Sequence, residues 1–205
     1  MSIRYNEDFG LFWPEWDQKA EANHRYIQKH LPTMDFAISQ CKKLNLCVQA
    51  GGHVGIWAIQ LAQIFDDVLT FEPEIDLFEC LDLNMDSMYL YGVERWQSGL
   101  GSENTTSFLK RSTSSGANSI SDSGQSIQLV TIDSLHLPTC DAIFLDIEGY
   151  ELEALHGAKE TITAYNPVIQ VEELDDGEAV SLYLRRLGYL PCHEKQGKDR
   201  IYLPC

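Results

Sequence analysis

A glycine-rich turn between two apolar segments is the first place in the chain where the residue types suggest chemistry. Gly51, Gly52 and Gly55 surround His53, after a candidate strand at 46–50 and before an apolar stretch typical of a buried helix. Glycine lets the backbone approach a ligand closely, and the N–H groups at the start of a helix attract a carboxylate or a phosphate. The spacing therefore predicts an anion-binding turn.

A carboxylate follows the next predicted strand. Glu72 lies 21 residues after Gly51, directly after the segment 68–71, where a carboxylate can accept hydrogen bonds from both hydroxyls of a ribose. The turn and the acid together predict a site for a nucleoside cofactor, but they do not distinguish NAD from S-adenosylmethionine. The alternative is that the glycines only form a turn and that Glu72 is a solvated acid at a strand end.

Short apolar runs alternate with helical patterns from residue 46 onward, which is typical of βαβ units and a mostly parallel sheet flanked by helices. The apolar runs predict strands at 46–50, 68–71, 95–99, 127–132, 142–146 and 168–171. The helical patterns predict helices at 56–65, 75–85, 150–162 and 180–187, the last closed by Gly188 in the left-handed conformation. The tail 189–203 predicts two strands joined across 196–198.

Two other segments lack this alternation of apolar runs and helical patterns. Residues 1–45 have spaced apolar positions and a break at Leu31-Pro32, which predict two short helices that form an N-terminal cap on a main domain at 46–205. The stretch 102–126 is rich in Ser, Thr, Asn and Gly. Such a composition predicts a long surface loop or an irregular hairpin.

The composition indicates a single compact domain with an acidic surface. The 205 residues include 31 acidic and 15 basic ones, a formal charge of −16. Such a surface repels nucleic acid and anionic lipid, so we expect neither as a partner. The start of the sequence has no secretory pattern and no apolar run is long enough to span a membrane, so we expect a cytoplasmic protein. The six cysteines include no C-x-x-C pair, which favours reduced thiols over a disulfide framework or a zinc site.

Five segments together resemble the FkbM family of S-adenosylmethionine-dependent methyltransferases, over about residues 46–173. They are GGHVG at 51–55, FEP at 71–73, VTIDSL at 130–135, FLDIEGYE at 144–151 with LHGA at 155–158, and NPVIQVEE at 166–173. The resemblance implies an α/β fold of the Rossmann-like class I methyltransferase type. It also implies an enzyme that uses S-adenosylmethionine to methylate hydroxyl groups of sugars or other small molecules.

The resemblance also implies roles for individual residues. It implies that the turn, with Gly51, Gly52, His53 and Gly55, holds the methionine end of the cofactor, that Glu72 holds the ribose, and that the adenine lies beside Gly99 in the segment 98–101. It places Asp146 beside the amino group of the cofactor or beside the acceptor, with Glu148 and Glu172 at the same mouth.

Methylation of an alcohol is assisted by a base that takes the hydroxyl proton. The candidates are Asp146, Glu148 and His53, in that order. Acids at strand ends also occur as metal ligands. We predict no metal ligand set, because the spacing does not decide metal dependence.

One departure from the family pattern affects the expected activity. Gln49 stands where the family usually has an acid, and His53 stands where it usually has Asn. An amide supplies no charge to hold the amino group of the cofactor. A catalytically inactive binding module is therefore an alternative, and an NAD-linked oxidoreductase is another, although the turn is not Gly-x-Gly-x-x-Gly. The acceptor is expected to be a small molecule or a carbohydrate, and the oligomeric state is not evident from the sequence.

Overall fold

The computed structural model describes residues 2–90, 92–172, 177–192 and 198–205. The helices are α1 (Ala20–Ser39), α2 (Ile56–Leu61), α3 (Ile75–Ser87), α4 (Glu151–His156), α5 (Lys159–Tyr165) and α6 (Gly177–Arg186). The strands are β1 (Ile3–Asn6), β2 (Leu11–Pro14), β3 (Leu46–Ala50), β4 (Asp67–Phe71), β5 (Val93–Trp96), β6 (Gly99–Leu100), β7 (Thr105–Lys110), β8 (Ser119–Ser121), β9 (Gln125–Val130), β10 (Ala142–Leu145), β11 (Val168–Glu172), β12 (Tyr189–Pro191) and β13 (Asp199–Pro204). Single 3₁₀ turns lie at Ser115–Ala117 and Asp133–Leu135.

Seven strands form the central sheet, in the order β12-β13-β11-β10-β3-β4-β5. The five strands from β11 to β5 run parallel to one another, whereas β13 is antiparallel to both of its neighbours. Every residue of β3, β10 and β11 is buried. Parallel strands covered on both faces contain few polar residues, which is why they were recognisable as apolar runs. The α/β class predicted from the sequence is confirmed.

Helices cover both faces of this sheet. One apolar cluster joins the sheet to α4, α5 and α6 through Leu155, Ile162 and Leu184. The cluster on the other face joins it to α1, α2 and α3 through Ala37, Leu61 and Met85. This packing fixes the sheet on both faces and leaves the carboxyl ends of β3, β4 and β10 free to border a cleft.

The N-terminal segment differs from the predicted pair of helices. Residues 3–14 form an antiparallel hairpin of β1 and β2, in which Leu11 and Trp13 point inward and are buried. Two alternating positions are too short a pattern to predict a strand. The prediction of a wholly helical cap at 1–45 is therefore wrong.

The rest of the N-terminal segment is one long helix. The predicted break at Leu31-Pro32 is wrong, because α1 runs through Pro32 without interruption. Proline removes one main-chain hydrogen bond from a helix. Beyond that point Met34 and Ala37 are completely buried against the core, and this packing outweighs the local cost.

The Ser-rich stretch 102–126 is also more ordered than a surface loop. It contributes to a second sheet of order β6-β9-β7-β8, in which β7 pairs antiparallel with both β8 and β9. Leu109, Ile127 and Leu129 form a small apolar cluster on this sheet. The prediction of an irregular hairpin is thus closer to the structure than that of a loop.

Two predicted helices have different bounds in the structure. The helix predicted at 150–162 is divided into α4 and α5 around Gly157, where a Cβ atom would lie 2.0 Å from the main-chain oxygen of Gly101. The helix predicted at 56–65 ends at Leu61. Gly188 adopts a φ of +87° after α6, which confirms its predicted left-handed conformation.

The predicted turn at 196–198 lies mostly outside the described residues. All six cysteines are unpaired. Within the described ranges, no helix has the length and the apolar character needed to cross a bilayer.

Candidate active site

A cleft opens where the carboxyl ends of β3, β4 and β10 meet. Gly51, Glu72 and Asp146 line its floor, while Asn23 and Tyr26 of α1 contribute to its wall. With the solvent space at its open mouth included, the cleft encloses about 1020 Å³. The structure thus brings the glycine turn and the predicted acids together in one place.

The glycine turn lies directly against the end of the neighbouring strand. The main-chain N–H groups of Gly51 and Gly52 donate to the oxygen of Phe71, at 3.2 and 2.9 Å. Gly51 has a φ of +83°, and a Cβ atom there would lie 1.9 Å from the main-chain oxygen of Asp146. Because no other residue fits, the turn keeps the backbone exposed to the cleft. Gly55 has a φ of +96° and begins α2.

Glu72 is a buried carboxylate on the floor of the cleft. Its Oε2 accepts a hydrogen bond from the main-chain N–H of His53, and its Oε1 accepts one from that of Glu74, both at 2.8 Å. Burial raises the pKa of Glu72 to about 7 in spite of these two hydrogen bonds. Each oxygen retains a lone pair, so the carboxylate can still accept hydrogen bonds from ligand hydroxyls.

His53 links the glycine turn to two distant parts of the chain. Its Nε2 lies 2.6 Å from Oγ of Ser115, and the Ser115 hydroxyl donates to Oδ2 of Asp17 at 2.5 Å. The indole N–H of Trp13 donates to the same oxygen at 2.9 Å. Because the Ser115 proton goes to Asp17, the imidazole must donate its own Nε2 proton to Ser115.

The protonation states agree with this hydrogen-bond order. Burial lowers the pKa of His53 to about 4, although the charge of Asp17 raises it somewhat. Burial also raises the pKa of Asp17, but the hydrogen bonds from Ser115, Trp13 and others outweigh it, and the net pKa lies below its ordinary value. His53 is thus neutral near pH 7, and its Nδ1 has no partner among the described residues.

Three acids converge at the mouth of the cleft. One carboxylate oxygen each from Asp146, Glu148 and Glu172 lies within 4.8 Å of the others. Burial, followed by the charge of Glu172, raises the pKa of Asp146 well above its ordinary value. The same two causes raise the pKa of Glu148 to about 7. The hydroxyl of Tyr26 donates to Oε1 of Glu172 at 2.9 Å.

The segment predicted to contact an adenine borders the same cleft. Gly99 lines it, and a Cβ atom there would approach the Leu129 side chain to 2.8 Å. Ser98 is 4 % exposed, and its Oγ has no partner among the residues that the structure describes. Trp96 stacks on Phe71 with ring centroids 5.8 Å apart. Phe71 also lines the cleft and gives it an apolar aromatic surface.

Gln49 has a structural role below the turn. Its side chain is fully buried, where the amide donates to the main-chain oxygen of Gly51 at 2.9 Å and accepts from the hydroxyl of Thr70 at 2.5 Å. Both ends of the amide are therefore occupied within the protein. An acid at this position would lose the donor to Gly51 and gain a buried charge.

Sequence reasoning did not predict the contact between Asp17 and Ser115. They lie 98 residues apart in the chain, and neither belongs to a recognisable motif. Ser115 falls within the Ser-rich stretch, where composition does not distinguish a buried serine from its exposed neighbours. The family resemblance had already placed Glu172 at the mouth.

Comparison with protein families identifies the chain. The model of the FkbM methyltransferase domain matches residues 49–191, which include the glycine turn, Glu72, Asp146 and β11. The chain belongs to the FkbM methyltransferase domain family. The resemblance noted in the sequence is thereby confirmed, and the cleft is where the matched motifs meet. A search of curated proteins finds no match.

Solved structures share the fold at low sequence identity. The FkbM methyltransferase from Methylobacillus flagellatus KT is 20 % identical with a TM-score of 0.57, over 78 % of this chain and 43 % of that one. An rRNA methylase from Streptococcus thermophilus is 11 % identical with a TM-score of 0.52, over 83 % and 91 %. A putative methyltransferase from Streptococcus mutans, solved in complex with SAH, is 9 % identical with a TM-score of 0.52, over 83 % and 93 %. The chain thus spans less than half of the length of that FkbM protein.

Proposed function

We propose that the protein is an S-adenosylmethionine-dependent methyltransferase that acts on a hydroxyl group of a small molecule or a carbohydrate. The fold in this proposal is the Rossmann-like class I methyltransferase type. The observation that carries the proposal is the convergence of the glycine turn, Glu72 and Asp146 on one cleft. Membership of the FkbM family adds support from the matched region.

The residues around the cleft fit the proposed cofactor. A side chain on Gly51 would collide with the main chain of Asp146, so a bare backbone faces the position proposed for the methionine end. The carboxylate of Glu72 has lone pairs for the two ribose hydroxyls. The unpartnered Oγ of Ser98 lies next to Gly99 in the chain and suits a polar atom of the adenine.

Each remaining site residue has a proposed task toward this cofactor. The turn residues Gly51, Gly52, His53 and Gly55 bind its methionine end, and Gly99 leaves space for the adenine. Asp146 accepts from its amino group or orients the acceptor. Gln49 binds no charge in this scheme, because its amide is occupied by Gly51 and Thr70.

The chemistry divides between the cofactor and the chain. The cofactor supplies a methyl group already activated on a sulfonium, so the protein must chiefly align the acceptor and exclude water. Asp146 and Glu148 are the proposed acceptors of the hydroxyl proton. His53 is the third candidate, and its neutral ring with Nε2 bound to Ser115 makes it better suited to holding the cleft closed.

The N-terminal segment 1–45 is the proposed cap of a methyltransferase domain at 46–205. Asn23, Tyr26 and Ile27 from α1 line the cleft, which supports a role in covering the ligand. The acidic charge of −16 disfavours a polyanionic acceptor and favours a neutral or cationic one.

Calorimetric titration with S-adenosylmethionine, S-adenosylhomocysteine and NAD tests the proposal. We expect binding of both sulfur ligands, no binding of NAD, and loss of sulfur-ligand binding in Glu72→Ala. The matched control is Glu94→Ala, which removes an exposed glutamate of β5 and should bind as the wild type does. Binding of NAD alone would favour an oxidoreductase, and absence of binding to both sulfur ligands would refute the proposed activity.

A further inference from the structure

Three carboxylates meet at the mouth of the cleft, where β10 and β11 end. Oxygens of Asp146, Glu148 and Glu172 lie within 4.8 Å of one another. We propose that this acidic triad binds a divalent cation that prefers oxygen ligands, such as Mg²⁺ or Mn²⁺. These ions bind carboxylate oxygens at about 2.0–2.2 Å and keep several water ligands, so small side-chain movements would bring the triad to bonding distance.

Glu172 distinguishes the triad from an ordinary group of surface acids. Its side chain is 4 % exposed, and its Oε2 has no hydrogen-bond partner within the described part of the chain. A buried carboxylate oxygen without a partner is costly, because it has lost water and gained nothing in return. The carboxylate that carries this oxygen is one of the three that converge. A cation between them would satisfy it.

The described contacts of Glu172, with Tyr26 and Lys198, bring little positive charge to the triad. The hydroxyl of Tyr26 donates to Oε1 of Glu172 but brings no charge. Nζ of Lys198 lies 3.7 Å from the same oxygen, and the side chain of Lys198 is 58 % exposed, so its attraction is weakened by solvent. The attraction of Lys198 thus offsets the repulsion among the three acids only in part.

The position of the triad suggests what the cation does. Asp146 and Glu148 line the cleft, so the open coordination sites of a bound ion would face the space proposed for the acceptor. A divalent ion that binds a hydroxyl oxygen lowers the pKa of that hydroxyl and holds it in position. This use of the ion rests on the proposed function, whereas binding of the ion does not.

Titration of the purified full chain with Mn²⁺ alone, followed by the electron paramagnetic resonance signal of the free ion, tests the site. We expect one saturable site in the wild type, weakened more than about tenfold in Glu148→Gln and in Glu172→Gln. The matched control is Glu160→Gln, an exposed acid of α5, which should bind as the wild type does. Equal binding by all four proteins would overturn the proposal, as would the lack of a saturable site in the wild type.

Two further measurements keep the result unambiguous. Thermal melting in metal-free buffer checks that each variant is folded. If Glu172→Gln, a change at a buried position, does not fold, the Mn²⁺ affinity of Glu148→Gln alone is compared with that of the wild type. Separate titration with S-adenosylhomocysteine distinguishes the two proposals. A protein that binds Mn²⁺ but not the sulfur ligand would keep the cation site and lose the proposed activity, and the reverse result would reject the cation site alone.

Discussion

The carboxyl group of Glu72 is buried and has its pKa raised from 4.5 to about 7. A raised pKa means that the folded protein favours the protonated form. The contribution of this group to stability is therefore fully present below pH 4.5 and is lost as the pH rises through about 7. A ligand whose hydroxyls donate to the ionised carboxylate reverses this preference, because it stabilises the charged form.

The affinity for S-adenosylhomocysteine should therefore depend on pH through Glu72. We expect the dissociation constant to fall about tenfold between pH 6 and pH 8, since only the ionised fraction is ready to accept both ribose hydroxyls. Calorimetric titration across this range measures the effect. The comparison is with Glu72→Gln, which should bind weakly and show a smaller pH dependence. An identical pH profile in both proteins would mean that another group titrates.

Sequence reasoning was effective at the scale of single residues where a residue lies in a local motif. It predicted that Gly51 and Glu72 share one site, because each follows a strand and parallel strands end at one edge of a sheet, and the family resemblance added Asp146. It had no means of finding Asp17 or Ser115, whose contact depends on how distant segments pack. The catalytic and cofactor-binding roles stay predictions.

Three parts of the fold are joined beside the cleft by the hydrogen bonds of Ser115. Ser115, in the 3₁₀ turn between β7 and β8 of the second sheet, joins Asp17 of the segment before α1 to His53 of the glycine turn. The same N-terminal segment packs Trp13 edge-on against the His53 ring, with centroids 5.1 Å apart. The hairpin, the second sheet and the central sheet are thus held together beside the ligand position.

The variant Ser115→Ala tests this link between elements. It leaves His53 without a partner for Nε2 and removes one of the donors to Asp17, so we expect a loss of about 1–3 kcal/mol in the free energy of unfolding and weaker binding of S-adenosylhomocysteine. Urea denaturation and calorimetry measure the two effects. Ser126→Ala, at an exposed position of β9, is the matched control and should change neither. Wild-type stability in Ser115→Ala would show that the link is dispensable.

Elements were predictable where one local pattern dominated. The buried strands β3, β10 and β11 are mostly apolar, and α3 follows a clear helical spacing. The hairpin of β1 and β2 was missed because it is short. The helix break predicted at Pro32 was wrong because tertiary packing overrides the local preference of proline. The strands β7 and β8 are mostly polar and exposed or half-buried, so they resembled a loop, whereas the more buried β9 was partly predicted as a strand.

At the scale of the whole molecule, both the acidic net charge and the acids at the cleft favour ligands that are neutral or positively charged. The chain carries a formal charge of −16, and three acids lie at the mouth of the cleft. A cofactor with a sulfonium and an ammonium group, a neutral acceptor and a divalent cation all suit such a field. The matched FkbM region covers residues 49–191, so the family assignment concerns the cleft and its sheet.

A crystal structure of the complex with S-adenosylhomocysteine tests the central claim most directly. We expect the ribose hydroxyls at the carboxylate of Glu72, the amino-acid end at the turn 51–55, the adenine beside Gly99 and the sulfur on the side of Asp146. A ligand bound outside this cleft, or bound in it with the ribose away from Glu72, would contradict the account.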